Sequence, residues 1–289
     1  MNAVTGLVRT ARPRQWVKNV LVVAPLLPAG AAQLDADAFL GTAVAFVLFC
    51  VIASAVYLVN DAKDVEADRA HPKKRFRPIA SGAVSATTAY AVAVVLFVLG
   101  LAGAFWWSVD LGAVMAVYAV IQLAYCFGMK HEPVIELASV ASGFLLRALA
   151  GGIAAGIPLS QWFLLTTAFG SLFMASGKRY AEARQGEETG RAVRKVVTKY
   201  TQTYLRFVWT LSATVVVTAY SLWAFLQLSE VSFRYSVLSV VPFVLAILRY
   251  AVDVDKGQAE EPEELALHDK TLLALALIWV VVLLLAVYA

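Results

Sequence analysis

Residues 60–68 read N-D-A-K-D-V-E-A-D, four acidic side chains in nine positions, directly after a long apolar run. Asp61, Asp64 and Asp68 are spaced i, i+3, i+7, so a continuous helix would set all three on one face. Carboxylates that close repel one another, and near hydrocarbon they are costly unless neutralised. A divalent cation with a phosphate-rich ligand answers both problems. Mg2+ takes hard oxygen donors and usually keeps water and substrate phosphate in its shell. Asp61, Asp64 and Asp68 are therefore expected as metal ligands and catalytic residues. Asn60 is expected to add a carbonyl ligand or donate to a phosphate oxygen. Glu66 falls on a different helical face.

The chain continues R-A-H-P-K-K-R-F-R-P-I-A-S-G, in which Pro72 and Pro78 end helical structure and Gly82 permits a turn. Lys73, Lys74, Arg75 and Arg77 thus lie immediately beyond the carboxylates. An ordinary basic loop would explain the charge. The adjacency suggests more, with carboxylates holding a cation and Lys73 and Arg77 holding the outer oxygens of a polyphosphorylated molecule. A second cluster is Lys178-Arg179-Tyr180-Ala181-Glu182. Lys178 and Glu182 form either a simple i, i+4 pair or part of a site. In the second reading Lys178 and Arg179 supply positive charge at a cavity mouth and Glu182 orients them or reaches a second ion. Tyr125 and Lys130 end another apolar run, where they serve either as interfacial and helix-end residues or as cavity groups. Lys18 in the leader R-P-R-Q-W-V-K-N is placed to reach a ligand at the membrane surface. Arg147 stands inside an apolar run, where a guanidinium needs a partner or a wet cavity; it is either a polar contact within the bundle or a substrate-binding group.

These groups must be carried by elements that suit their surroundings. Hydrophobic residues make up 61% of the 289 positions and charged residues 15%, against about 25% charged in a typical soluble domain. Runs of about 20 apolar residues satisfy their backbone as membrane helices. The expected fold is all-α and polytopic, with nine spans around a central cavity, near 17–34, 38–59, 83–107, 111–127, 133–156, 159–176, 204–228, 235–252 and 271–288. Pro25 and Pro28 make the first span the weakest. One domain over residues 1–289 is expected, with motif loops near 61–82 and 177–200. Basic residues fix the orientation: 22 of the 24 Lys and Arg fall on one side of this arrangement, which is then cytoplasmic together with the N-terminus. The formal charge of +4 reflects that asymmetry, and nucleic acid is not an expected partner. The start of the chain has no separate apolar stretch before a cleavage site, so a cleaved signal peptide is not expected. Cys50 and Cys126 lack ligand-like spacing and are expected as packing residues. A homo-oligomer is compatible with the chain.

The N-D-x-x-D-x-x-x-D motif on the second span resembles the UbiA superfamily of intramembrane prenyltransferases, most of which hold magnesium with two aspartate-rich motifs and ionise a prenyl diphosphate. Here K-R-Y-A-E stands where the second motif belongs. The leader, the 60–82 run, K-R-Y-A-E and the E-E-P-E-E-L tail together resemble one branch, the decaprenyl-phosphate phosphoribosyltransferases of mycobacteria and their relatives, over about residues 12–270. That resemblance implies transfer of 5-phosphoribose from phosphoribosyl diphosphate to a polyprenyl phosphate at the plasma membrane, for a cell-wall arabinan precursor. Mg2+ at Asp61, Asp64 and Asp68 would hold the diphosphate. The 5-phosphate and acceptor phosphate would fall to a subset of Lys18, Lys73, Arg77, Tyr125, Lys130, Lys178 and Arg179. Direct displacement predicts inversion at C1. The alternatives are a conventional prenyl-diphosphate prenyltransferase, disfavoured by the lost second motif, and a transporter of phosphorylated metabolites, for which a magnesium-type triad has little use.

Overall fold

The structure, a computed structural model, describes residues 2–190, 193–226, 230–259, 265 and 268–288. Among these, regular structure is helical throughout: α1 Ala3–Ala11, α2 Ala36–Lys63, α3 Val65–Ala70, α4 Ala86–Trp107, α5 Val109–Phe127, α6 Ile135–Ala154, α7 Gln161–Thr189, α8 Gln202–Phe225, α9 Glu230–Asp255 and α10 Lys270–Tyr288, with short 3-10 segments between several of them. The long helices start where the sequence supplies a cap. Asp35, Ser85, Ser108, Ser160 and Thr201 each accept an N–H from the residue three positions on, opening α2, α4, α5, α7 and α8. Residues 260–264 of the E-E-P-E-E-L tail lie outside the described residues.

Seven of the helices, α2, α4, α5, α6, α8, α9 and α10, are long and apolar enough to cross a membrane. They coincide with seven of the nine expected spans. The expected first span is instead a 3-10 segment, Pro13–Leu26, containing Pro25; proline at 25 lacks the N–H a continuing helix needs and Pro28 follows it. The expected sixth span is the start of α7, which runs on through Lys178 and Glu182 to Thr189.

The chain divides into two compact units. The first takes residues 1–25, 35–130 and 146–158, and the second takes 26–34, 131–145 and 159–289. In the first, α2 packs against α1, α4 and α5, with Phe49, Ile52, Leu111 and Met115 fully buried. Small residues let backbones approach there, as membrane helices commonly require. A Cβ at Gly151 of α6 would lie 1.9 Å from the carbonyl oxygen of Val22 in the 3-10 segment. Gly151→Ala must therefore push that segment off α6, with an expected cost of about 1–3 kcal/mol or more. A lowered melting temperature of the detergent-solubilised chain checks this. Gly30→Ala, where a Cβ meets nothing within 4 Å, is the control. In the second unit α7, α8 and α9 pack together and α9 packs on α10, around Phe173, Tyr180, Leu205 and Val254.

Candidate functional site

α2 ends at Lys63, and Asp64 (φ −91°, ψ 10°) joins it to α3. The acidic segment is therefore two helices meeting at Asp64, and the three aspartates do not share one partner. Asp61 and Asp68 are buried, and both turn to Arg77, whose Nη1 donates to Asp61 Oδ1 at 3.2 Å and to Asp68 Oδ2 at 2.7 Å. Asp61 Oδ1 also accepts from Arg12 Nη2 at 2.6 Å and, more distantly, from Asn60 Nδ2 at 3.5 Å. Asp64 pairs separately with Lys130, whose Nζ donates to both carboxylate oxygens at 2.6 Å.

The polar loop after α3 is tied back to present these cations. Arg69 donates to Ala80 O at 3.2 Å and to Glu66 at 2.9 Å. His71 Nδ1 accepts the backbone N–H groups of Lys73 and Lys74, at 3.2 and 3.3 Å. A cavity of about 180 Å³ lies against Asp61, bounded by Arg9, Arg12, Lys73, Phe76 and Arg77 among others. Arg12 reaches it because it caps α1 in the left-handed region, φ 54°, and its guanidinium sits 4.9 Å from the centre of the Tyr57 ring.

Arg147, also in the first unit, is buried against Asn19 Oδ1, 2.7 Å, and the Tyr118 hydroxyl, 2.9 Å. The Asn19 amide in turn donates to Cys50 Sγ at 3.2 Å. This network ties the Pro13–Leu26 segment to α2, α5 and α6.

In the second unit Arg179 is buried against Glu136. Its Nε donates to Glu136 Oε1 at 2.9 Å, Nη2 reaches the same oxygen, and Nη1 donates to Glu182 Oε2 at 3.2 Å. Glu182 accepts the Arg194 N–H at 3.2 Å. Beside them Val134 takes φ 68°, a costly conformation for a β-branched residue. Its N–H donates to the Tyr200 hydroxyl at 2.8 Å. Burial raises the Tyr200 phenol above its ordinary value, with the Val134 N–H opposing.

The UbiA prenyltransferase family model matches residues 20–278. The chain belongs to the UbiA prenyltransferase family. It is similar to decaprenyl-phosphate phosphoribosyltransferase of Mycobacterium tuberculosis, 57% identical over 96% of this chain and 93% of that one. It is also 56% identical to the protein of the same name from Corynebacterium glutamicum, over 99% of this chain and 88% of that one. A solved structure of a UbiA homolog from Archaeoglobus fulgidus bound to GPP and Mg2+ matches the fold at a TM-score of 0.69, with 15% identity, over 97% of this chain and 98% of that one. With seven helices of spanning length, this UbiA-family chain is an integral membrane protein.

Three expected substrate-binding residues have interior partners in this UbiA-family chain. Arg179 and Glu182 are tied into the Glu136–Arg179–Glu182–Arg194 ion network, and Arg147 is tied to Asn19 and Tyr118. The physical reason is burial: Glu136 is fully buried and a carboxylate there requires a cation. Lys18, Tyr125 and Lys178 are half-buried. Lys73, Arg77 and Lys130 are the expected cations that gather around the aspartates or the cavity beside Asp61.

Among the described residues no three acidic, histidine or cysteine side chains lie together as a ready metal cage. The donor set still suits magnesium in its chemistry. Asp61 and Asp68 aim oxygens at one point, now taken by a single cationic nitrogen of Arg77, and both are hard donors. Arg9, Arg12 and Glu136 were missed from the sequence. Arg9 and Arg12 carried a usable signal, three apart at the end of a short amphipathic helix. Glu136, a lone acid opening an apolar span, carried one too.

Proposed function

We propose that this chain transfers 5-phosphoribose from 5-phosphoribosyl 1-diphosphate to a polyprenyl phosphate such as decaprenyl phosphate, releasing diphosphate. The observation that carries this reading is identity above 55% over nearly the whole chain to proteins of that name. The product would serve synthesis of a cell-wall arabinan precursor at the plasma membrane, with the N-terminus and the 60–82 loop cytoplasmic as the basic residues require.

Asp61 and Asp68, with Asp64 beside them, are the residues that would hold Mg2+, which when bound neutralises charge on the departing diphosphate. Asn60 lies next to Asp61 and donates to phosphate oxygens. Arg77 and Lys130, whose side chains already meet these carboxylates, move their donors to phosphate oxygens, where charge-assisted bonds are strong. Lys18, Lys73 and Tyr125 are further candidates for phosphate contacts, and Lys178 for catalysis from α7. The acceptor phosphate has a second pKa of about 6 and is largely dianionic near neutral pH, so attack needs no strong base. The acceptor oxygen forms the new bond to C1 as the bond from C1 to diphosphate breaks, and the electron pair leaves with diphosphate. Catalysis then rests on alignment and leaving-group stabilisation. Apolar helix faces hold the polyprenyl tail.

The test is an assay with labelled phosphoribosyl diphosphate and decaprenyl phosphate on the chain in membranes. Lipid-linked phosphoribose is expected, with inverted configuration at C1, lost on chelation with EDTA and restored by Mg2+. No labelled lipid from intact protein overturns the assignment, retained configuration overturns direct displacement, and activity unaffected by EDTA overturns the magnesium role.

A further inference from the structure

The cavity beside Asp61 has four cationic side chains, Arg9, Arg12, Lys73 and Arg77, against the one carboxylate. Arg12 and Arg77 are bonded to Asp61, and Arg77 also to Asp68 just outside the pocket. Among the described residues Arg9 and Lys73 make no ion pair through their side chains, so the excess charge is uncompensated within the site. Its volume of about 180 Å³ is several times the roughly 30 Å³ share of one water molecule. That is room for a phosphate group with ordered water. A dianionic phosphomonoester is the ligand such a pocket recognises.

The wall that carries Arg9 and Arg12 indicates where that phosphate comes from. α1 is amphipathic: Gly6 and Thr10 are buried on α2's side, while Val4 and Val8 are exposed at 69% and 56%. Phe76, at the pocket's other rim, is 62% exposed. A short helix with exposed valines on one face and arginines at its end lies in a membrane interface, with its cations at headgroup depth. At 3.6 residues per turn Arg9 stands about 100° around α1 from Val8, between the exposed valines and the buried Gly6–Thr10 face, so the pocket lies at the border of the two.

We infer that this pocket binds the phosphate of the acceptor lipid, with α1 as the interfacial element that delivers it beside the diphosphate site. This rests on the transferase reading above and assigns one of its two phosphates. Arg9 and Lys73 make the first contacts, and Arg12 and Arg77 link the pocket to Asp61. The donor's 5-phosphate is then bound elsewhere, by cations outside this pocket.

The test is steady-state kinetics of the full chain in mixed micelles, varying decaprenyl phosphate and phosphoribosyl diphosphate separately. Arg9 is exposed and Arg9→Gln leaves the fold intact, which its melting temperature verifies. Loss of a charge-assisted contact is expected to raise KM for decaprenyl phosphate about tenfold, with KM for the donor unchanged. Val4→Ser with Val8→Ser, which keeps every charge, is expected to raise the acceptor KM in the same direction. A rise in donor KM alone makes the pocket the 5-phosphate site and overturns the inference. So does an equal rise in both, which is a general field effect, and so does no change in either. Failure of the wild-type chain to make any lipid-linked phosphoribose instead overturns the transferase reading itself.

Discussion

Asp64→Asn is expected to lower phosphoribosyl transfer by at least 10²–10³-fold while membrane insertion and folded yield stay close to wild type. Both halves follow from the place of Asp64 at the α2–α3 joint. Its side chain makes no cap hydrogen bond, so an isosteric amide leaves the backbone in place. Its salt-bridge partner Lys130 is 15% exposed and Asp64 itself 29%, so the pair keeps some water, and the amide oxygen of an asparagine still accepts from Lys130. Little stability is therefore at stake. Catalysis has more to lose, because an amide brings no negative charge to a cation that must draw diphosphate away from C1. The double variant Asp64→Asn, Lys130→Met separates two origins for the loss. If Asp64 serves only to neutralise Lys130, removing both charges restores activity. If Asp64 helps hold the metal, activity stays low and the residual rate needs more Mg2+ to saturate. The second result is expected. Full activity in the single variant would take Asp64 out of the ion site.

The residues that were legible in the sequence are those whose neighbours in the chain are also neighbours in space. The adjacency of the 61–68 carboxylates and the 73–77 cations suggested a shared phosphate site; in the structure Arg77 lies against Asp61 and Asp68 themselves, because the proline-bounded loop folds back on the helices it leaves. Apolar runs located the seven helices of spanning length among the described residues for the same local reason. What failed was the assumption of one continuous helix through Asp64. Spacing alone cannot tell an unbroken helix from two that share a capping residue, and the difference sends Asp64 to Lys130 while Asp61 and Asp68 share Arg77. The spacing of Arg9 and Arg12 marked a basic helix end, but not that Arg12 turns to Asp61, which depends on its own left-handed φ of 54°. Arg179 has a partner that residue spacing does not show. Its partner Glu136 lies 43 residues away on another helix, and no local pattern reports a contact of that separation. The basic replacement of the second aspartate-rich motif had suggested an open, phosphate-binding face. In the folded chain Arg179 is the counterion of a buried acid.

That revision makes Arg179→Met the most disruptive single change expected in the second unit. Arg179 and Glu136 are 4% and 1% exposed in their side chains, and Arg179 gives Glu136 Oε1 two of its donors while a third goes to Glu182. Glu136 Oε2 has no hydrogen-bond partner among the described residues, so Glu136 depends on Arg179 for its neutralisation. Removing one side of such a pair leaves a buried charge uncompensated, at an expected cost of about 3–5 kcal/mol. Against a typical total of about 5–15 kcal/mol for a folded protein, that is a large share. Arg179→Met should therefore show a sharply lower melting temperature in detergent and poor recovery from membranes. Replacing both partners by apolar residues of similar size is often neutral or stabilising, so Glu136→Leu with Arg179→Met should recover the folded yield. The transfer rate of the double variant then decides the role of Arg179. Activity that returns with stability identifies the pair as structural, which is the expected result. Stability without activity would return Arg179 to the substrate, and a single variant as stable as wild type would show that the Glu136 pair does not hold the second unit together.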